Sequence, residues 1–376
     1  MYSIYEEEIE MKRFLIFFVI IPILMLILNA CGGVIMEKEG KRFLVTAGNG
    51  EGIFIFDVTD PSDPKLVGHL NTDGYSYGVY VSGSYAYVAD WNNGLVIVDV
   101  SDPNNPQLAG HFDTDGLARK VYILGDYAYV ADERNGLVIV DVSDPNNPQL
   151  AGHFDTDGLA RGIYVSGNYA YVADDWNGLV IVDVSDPNNP QPAGHFNTGG
   201  SSKGIFVSGD YAYVANDWNG LVIVDVSDPN NPQFAGHFDT DGGLAYEAYV
   251  SGNYAYVADW SNGLVIVDVN DPNNPQLAGH FDTDGSAEGI FVSSDYAYIA
   301  DGNNGLVIVD VSDPNNPQLA GHLDTDGWAY RVYVSGNYAY IADGENGLVI
   351  VDVSDPDDPT LVNDMLWITF YGIAGF

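Results

Sequence analysis

Three sets of side chains recur in this sequence at spacings that could support chemistry. Histidines stand at His69, His111, His153, His195, His237, His280 and His322, and spaced imidazoles are the commonest protein ligands for transition metals. Paired carboxylates precede a glycine at Asp113/Asp115, Asp155/Asp157, Asp239/Asp241, Asp282/Asp284 and Asp324/Asp326. Each lies in Asp-Thr-Asp-Gly, a fragment of a calcium loop. Glu247 and Glu288 form the third set, and two carboxyl groups at close range are what a retaining glycosidase requires. Which of these chemistries is open to the protein depends on the elements that hold the residues.

Those elements repeat. Gly-Leu-Val-Ile-Val-Asp-Val begins at Gly94, Gly136, Gly178, Gly220, Gly263, Gly305 and Gly347, and a weaker copy begins at Gly52, with steps of 42, 42, 42, 42, 43, 42 and 42 residues. Within one copy, Val79-Tyr80-Val81, Tyr85 to Ala89, Leu95 to Val100 and Leu108 to Phe112 read as four short strands. Gly, Asn and Pro turns separate them. A sheet this small cannot bury both faces alone, so copies must stack, and a ring of them leaves few exposed edges. The spacing therefore predicts an all-β, eight-bladed β-propeller of four-stranded antiparallel blades with a repeat of about 42 residues. A parallel solenoid would need shorter coils. The repeat resembles the LVIVD-repeat family of bacterial and archaeal surface proteins over residues 43 to about 364. That resemblance implies a propeller on a cell surface and no particular activity.

Calling the strands a to d from the axis outward, the first copy lacks a clear strand a. Tyr371-Gly372-Ile373 matches Arg161-Gly162-Ile163, so residues 368–376 are expected to supply it, the two chain ends then closing the ring. Val34-Ile35-Met36 is the alternative supplier.

This layout ranks the chemistries. The histidines fall on strand d at the outer rim, too far apart from blade to blade for the ~2 Å reach of a metal bond. Asp99 and its equivalents Asp57, Asp141, Asp183, Asp225, Asp268, Asp310 and Asp352 end strand c, where a carboxylate can accept N–H bonds from the following turn. The Asp-Thr-Asp-Gly turns are read as Asx turns, with calcium on residues such as Asp113, Asp115, Asp155 and Asp157 as the alternative and no other cofactor expected. Asn197-Thr198-Gly199-Gly200 lacks both carboxylates.

Comparison among the copies locates the variation. The a–b and c–d turns hardly change, whereas the d–a segment and the b–c turn do, and alternating strand direction brings these two to one face of the ring. Two residues before strand a stand Tyr77, Arg119, Arg161, Lys203, Tyr246, Glu288 and Tyr330, with Lys120, Glu247, Trp328 and Arg331 as neighbours. The b–c turns carry Trp91, Trp176, Trp218 and Trp260. All six basic residues after position 70 lie on this face. A cationic arc thus adjoins acidic and aromatic ones at the mouth of the central channel, the kind of composition that binding sites concentrate.

Near the N-terminus Lys12 and Arg13 precede the apolar run Phe14 to Leu28, followed by Leu28-Asn29-Ala30-Cys31. This resembles a lipoprotein signal peptide (residues 1–30, with Met11 as the expected true start) whose Cys31 would be lipidated. An uncleaved membrane anchor is the alternative. Residues 31–42 read as the acylated cysteine and a short linker, and 43–376 as the propeller.

The 376 residues carry 12 basic and 53 acidic side chains, a net charge of −41, which excludes nucleic acid as a partner. The expected function is a binding platform, exported and lipid-anchored to the cell envelope, docking a protein or an anionic or carbohydrate ligand at the channel mouth. An envelope spacer and a carbohydrate-active enzyme on the same face are the alternatives.

Overall fold

A computed structural model describes residues 33–38, 40–48, 50–344 and 346–365. Residues 1–30, Cys31 and residues 368–376 lie outside the described residues. Eight four-stranded antiparallel sheets follow one another, each built from four strands consecutive in sequence, and the described residues contain no helix. Blade one comprises β1 (Gly33–Lys38), β2 (Lys41–Ala47), β3 (Ile53–Asp57) and β4 (Lys65–Leu70), and blade two comprises β5 (Gly78–Ser82), β6 (Tyr85–Ala89), β7 (Leu95–Asp99) and β8 (Gln107–Phe112). The remaining blades start at Lys120, Gly162, Gly204, Glu247, Gly289 and Arg331.

One expectation is corrected. Strand a of blade one is β1, paired with β2 from Gly33↔Thr46 to Lys38↔Lys41. That edge is therefore filled from the N-terminal side and not by residues 368–376. The segment 31–42, read as a linker, contributes a strand, so the propeller begins ten residues earlier than its repeat pattern shows. The alternative supplier, Val34-Ile35-Met36, therefore holds this place; Gly33 to Met36 ranked second in the sequence because they lack the Tyr or Phe that marks strand a in most other copies. The ring closes by packing: Leu44, Phe54, Phe56 and Val58 of blade one share a buried cluster with Val332, Tyr340, Leu348 and Ile350 of blade eight. Arg42 adds a hydrogen bond to Ser335 Oγ at 2.5 Å.

The burial pattern explains the sequence pattern. Strand c buries four successive residues, as in Leu95 to Val98, because neighbouring blades cover both of its faces. That is why the motif is a continuous apolar run rather than an alternation. Strand d, at the rim, is mostly exposed or half-buried, with only Gly110 buried in blade two. Each c–d pairing carries a bulge, between Ile97 and Val98 in blade two, which sharpens the local twist. Opposite it, the Pro145 carbonyl of the next blade approaches Gly110 so closely that a Cβ there would collide with it. The Pro-rich c–d turn is thus an inter-blade joint.

Candidate functional site

The face formed by the d–a and b–c connections rests on a buried carboxylate in most blades. Asp132, fully buried at the end of strand b, accepts the Thr114 hydroxyl at 2.8 Å and the Asn135 amide at 3.1 Å. Thr114 belongs to the incoming d–a loop and Asn135 to the b–c turn, so one carboxylate fixes both connections. Asp90, Asp174, Asp301 and Asp343 make the same two contacts, and Asn216 substitutes in blade five. Burial pushes these acids up, to about 7 for Asp132 and about 6 for Asp174 and Asp301. Sequence reasoning missed this latch, although an aspartate follows Tyr-Ala-Tyr-Val-Ala or Tyr-Ala-Tyr-Ile-Ala in six of the seven copies that carry it.

The other repeated residues have structural partners. Asp113 Oδ1 accepts the Asp115 N–H at 3.0 Å, and Asp155 accepts that of Asp157 at 2.9 Å, so the paired carboxylates form Asx turns. The second aspartate of each turn is left-handed, with φ of 64° at Asp115, a conformation that Asp, Asn and Gly tolerate best. Gly199 takes that place in Asn-Thr-Gly-Gly at φ 78°. Each histidine Nε2 lies 2.7 Å from a backbone carbonyl in its own b–c turn, His111 from Asn93 for example. A carbonyl only accepts, so Nε2 carries the proton. Asp99 Oδ1 accepts the Ser101 N–H at 2.8 Å, as expected for that position. Among the described residues no group of three or more His, Cys, Asp or Glu is placed to hold a metal ion.

Above the latches lies the ring of variable residues. The first residue of the b–c turn is left-handed in blades two to eight, with φ from 40° at Trp260 to 56° at Gly302. In blades two to seven it bridges to the d–a loop of the next blade: Trp91 to Ala118, Glu133 to Ala160, Asp217 to Ala245, Trp260 to Ala287 and Gly302 to Ala329 by two backbone hydrogen bonds each, and Asp175 to Ser202 through the Ser202 N–H donated at 2.9 Å. Each bridge seats the next variable residue between two b–c turns, so the positions interdigitate around the mouth. Tyr77 packs against Trp91 in a tilted pair with centroids 4.7 Å apart, and the Arg119 guanidinium lies 4.6 Å from the Trp91 ring and 5.4 Å from Tyr77. Arg119 also bonds Glu133. Arg161 pairs with Asp175 at 3.1 Å, and Lys203 lies 4.0 Å from Asp175 and 3.8 Å from Asp217.

Of the arc read as cationic (Arg119, Lys120, Arg161 and Lys203), three members therefore form a charge-matched zipper in which Arg119, Arg161 and Lys203 alternate with Glu133, Asp175 and Asp217. Burial depresses the Lys203 ammonium and raises the Asp217 carboxyl, each partly offset by the other. The three carboxylates were not singled out from sequence. Their signal was a constant offset of fourteen residues: Arg119/Glu133, Arg161/Asp175, Lys203/Asp217, Tyr77/Trp91 and Tyr246/Trp260 all obey it.

Other site candidates divide between inside and outside. Lys120, Glu247 and Arg331 open strand a where blades two, four, five and seven have Gly78, Gly162, Gly204 and Gly289. Glu247 is buried and accepts the Ile290 N–H at 3.2 Å, and Arg331 donates to the carbonyls of Glu288 and Tyr330 at 2.6 and 2.8 Å. Burial pushes the Glu247 carboxyl up, and the charges of Arg331 and Lys120 pull it back. Glu288 accepts the Trp328 indole N–H at 3.4 Å, and burial raises it too, against the pull of Arg331. Both glutamates thus have structural duties. Trp176 and Trp218, by contrast, stand out from the turns at 68% and 65% exposure. Deeper in the channel wall the third residues of successive a strands form an aromatic chain that sequence reasoning also overlooked. Tyr80, Tyr122, Tyr164, Phe206 and Tyr249 follow one another with centroids 5.8, 6.1, 5.9 and 5.9 Å apart.

Known proteins match this chain at two levels. The LVIVD repeat model matches eight times, at residues 43–72, 73–114, 115–156, 157–198, 199–240, 242–283, 284–325 and 326–366. Comparison with curated protein sequences gives no match. Among solved structures, BamB from Moraxella catarrhalis is similar at 13% identity, with 84% of this chain and 92% of that one covered and a TM-score of 0.63. Saccharomyces cerevisiae Sqt1 is similar at 8% identity, 86% and 93% coverage and a TM-score of 0.65. Chaetomium thermophilum Sqt1, bound to the N-terminus of the ribosomal protein L10, gives 11% identity, 80% and 90% coverage and 0.64. At these identities the likeness is one of fold.

Proposed function

Because the chain belongs to the LVIVD repeat family, with matches from residue 43 to 366, we propose that it is an interaction platform whose partner rests on the face of the d–a and b–c connections. The observation that carries this reading is the pairing of variable residues at a fixed offset. Random drift in tolerant loops would not keep a cation opposite an anion in blades three, four and five while keeping aromatic opposite aromatic in blade two. The ring is held in shape while its exposed tips differ, which is the division of labour a binding surface requires. A Sqt1 propeller bound to a segment of another protein is consistent with a propeller used for docking. Export and a lipid on Cys31 complete the proposal, since they would hold the platform at a cell envelope.

The test is capture from the source organism's envelope and medium with the full chain as bait. A variant with Tyr75, Trp176, Trp218 and Trp328 changed to alanine is compared with one changed on the opposite face at Asn104, Asn146 and Asn188. Partners lost only with the first variant support the reading, and partners lost equally with both, or with neither, refute it. Fatty-acid labelling abolished by Cys31→Ser tests the anchor.

A further inference from the structure

Two indoles differ from the rest of the ring. Trp176 and Trp218 hold the second position of the b–c turns in blades four and five, where other turns have Asn92, Arg134, Ser261 and Asn303. They are 68% and 65% exposed, more than any other large apolar side chain among the described residues. Only these two adjacent blades carry the turn Asp-Trp-Asn-Gly.

The backbone under each indole is pinned on both sides. Asp175 and Asp217, which precede them, are left-handed at φ 48° and 50° and bridge to Ser202 and Ala245. Asn177 and Asn219, which follow, donate to the carbonyls of Thr156 and Thr198 at 2.6 and 2.9 Å. Two flat rings are thus carried one blade apart on equivalent rigid turns, so little turn mobility is lost when a ligand settles on them. The ground beneath is neutral, because Arg161, Asp175, Lys203 and Asp217 form one chain of ion pairs at 3.1, 4.0 and 3.8 Å. An anion approaching Arg161 or Lys203 meets a carboxylate beside it.

These features select among ligands. A protein interface of ordinary size buries a continuous apolar centre, but the other exposed aromatics of this face, Tyr75 and Trp328, lead into blades two and eight. Isolated indoles in a polar, charge-balanced setting suit a chain whose units are flat, apolar on their faces and hydroxylated at their edges. We propose that Trp176 and Trp218 together bind a neutral polysaccharide, one sugar ring stacked on each indole with its hydroxyls turned to the ion pairs around them. The proposal rests on the platform reading and names its ligand class.

The experiment is electrophoresis of the full chain through gels containing hydroxyethyl cellulose, arabinoxylan or galactomannan, with alginate as the charged counterpart. Retardation by at least one neutral polymer is expected, about tenfold weaker in Trp176→Ala and in Trp218→Ala and lost in the double variant. Leu108→Ala, on the outer rim, retains it. No retardation by the neutral polymers, retardation by alginate alone, or equal retardation of parent and double variant overturns the proposal. A double variant with a lowered unfolding midpoint would assign the indoles to the fold and overturn it as well. If envelope capture depends on the two indoles while no sugar binds, the occupant is a protein and the platform stands. If both assays fail, both readings fall.

Discussion

Arg161 reaches the carboxylate of Asp175, fourteen residues further along the same blade, at 3.1 Å. Asp175 in turn lies 4.0 Å from Lys203 of the next blade and accepts the Ser201 hydroxyl, so one anion holds cations from two blades. Its side chain is 6% exposed against 25% for Arg161.

Asp175→Asn is therefore expected to cost about 1–2 kcal/mol, because it leaves two half-buried cations short of their counter-charge. Asp217→Asn, which faces Lys203 alone at 3.8 Å, is expected to cost less. Urea unfolding of the two variants measures the difference, and equal losses would show that the zipper contributes little.

Stability should rise as the solution is acidified. Asp132, Asp174 and Asp301 have carboxyls raised by burial to about 7, 6 and 6 from an ordinary 3.8. The folded state binds their protons at a higher pH than the unfolded state does. The penalty for their charged forms is fully present above about pH 7 and is relieved as pH falls through 7 to 6. The relief levels off near the ordinary carboxylate value, where the unfolded chain is protonated too. Melting temperature should climb between pH 8 and pH 5. Reduced self-repulsion acts in the same direction, so the specific test is Asp132→Asn. Asn216 already fills this place in blade five and accepts the Thr198 hydroxyl at 3.0 Å. The variant should gain stability at pH 8 and show a shallower pH dependence than the parent.

The inter-blade joint at the rim should tolerate no added methyl group. Gly110→Ala drives a Cβ into the Pro145 carbonyl, and the expected loss is about 1–3 kcal/mol. Gly83, at φ 59° with nothing within 4 Å of its missing Cβ, should lose only the ~1 kcal/mol of a left-handed alanine. Thermal unfolding of both variants checks the contrast.

Calcium should leave the unfolding midpoint within about 2 °C of its value in a chelator, with magnesium as the control for charge screening. The reason is local: Asp113 and Asp155 each use one carboxylate oxygen to cap their own turn. A rise of tens of degrees specific to calcium would contradict the Asx reading.

The fold was legible because its signal is repeated eight times. Leu95 to Asp99 reads as a buried strand on its own, and its seven sister copies turn that reading into a ring. β1 was harder to see, since its pairing with β2 is a tertiary fact and Gly33 to Lys38 carries no repeat residues. At the site, position was legible and partnership was not. Arg119, Arg161 and Lys203 stood out because cations are scarce in this chain, whereas Glu133, Asp175 and Asp217 were hidden among 53 acidic residues. Trp176 and Trp91 both sit in b–c turns, yet one faces solvent and the other packs under Arg119. The left-handed first residue of the turn decides that, and a list of residue types does not contain it.

Each blade is complete within one stretch of sequence, and the couples fourteen residues apart, such as Arg161–Asp175 and Tyr77–Trp91, lie inside a single blade, whereas the contact of Asp175 with Lys203 crosses to the next. Recombination between repeats would therefore move a couple as a unit, without parting an arginine from its carboxylate. A gene of this kind can exchange whole sectors of its upper face in steps of one repeat, and every product inherits the couples inside each blade already matched, with only the contacts between blades to be remade. Diversity is then generated by rearranging modules that were compatible before they met, and point mutation is left to adjust the exposed tips.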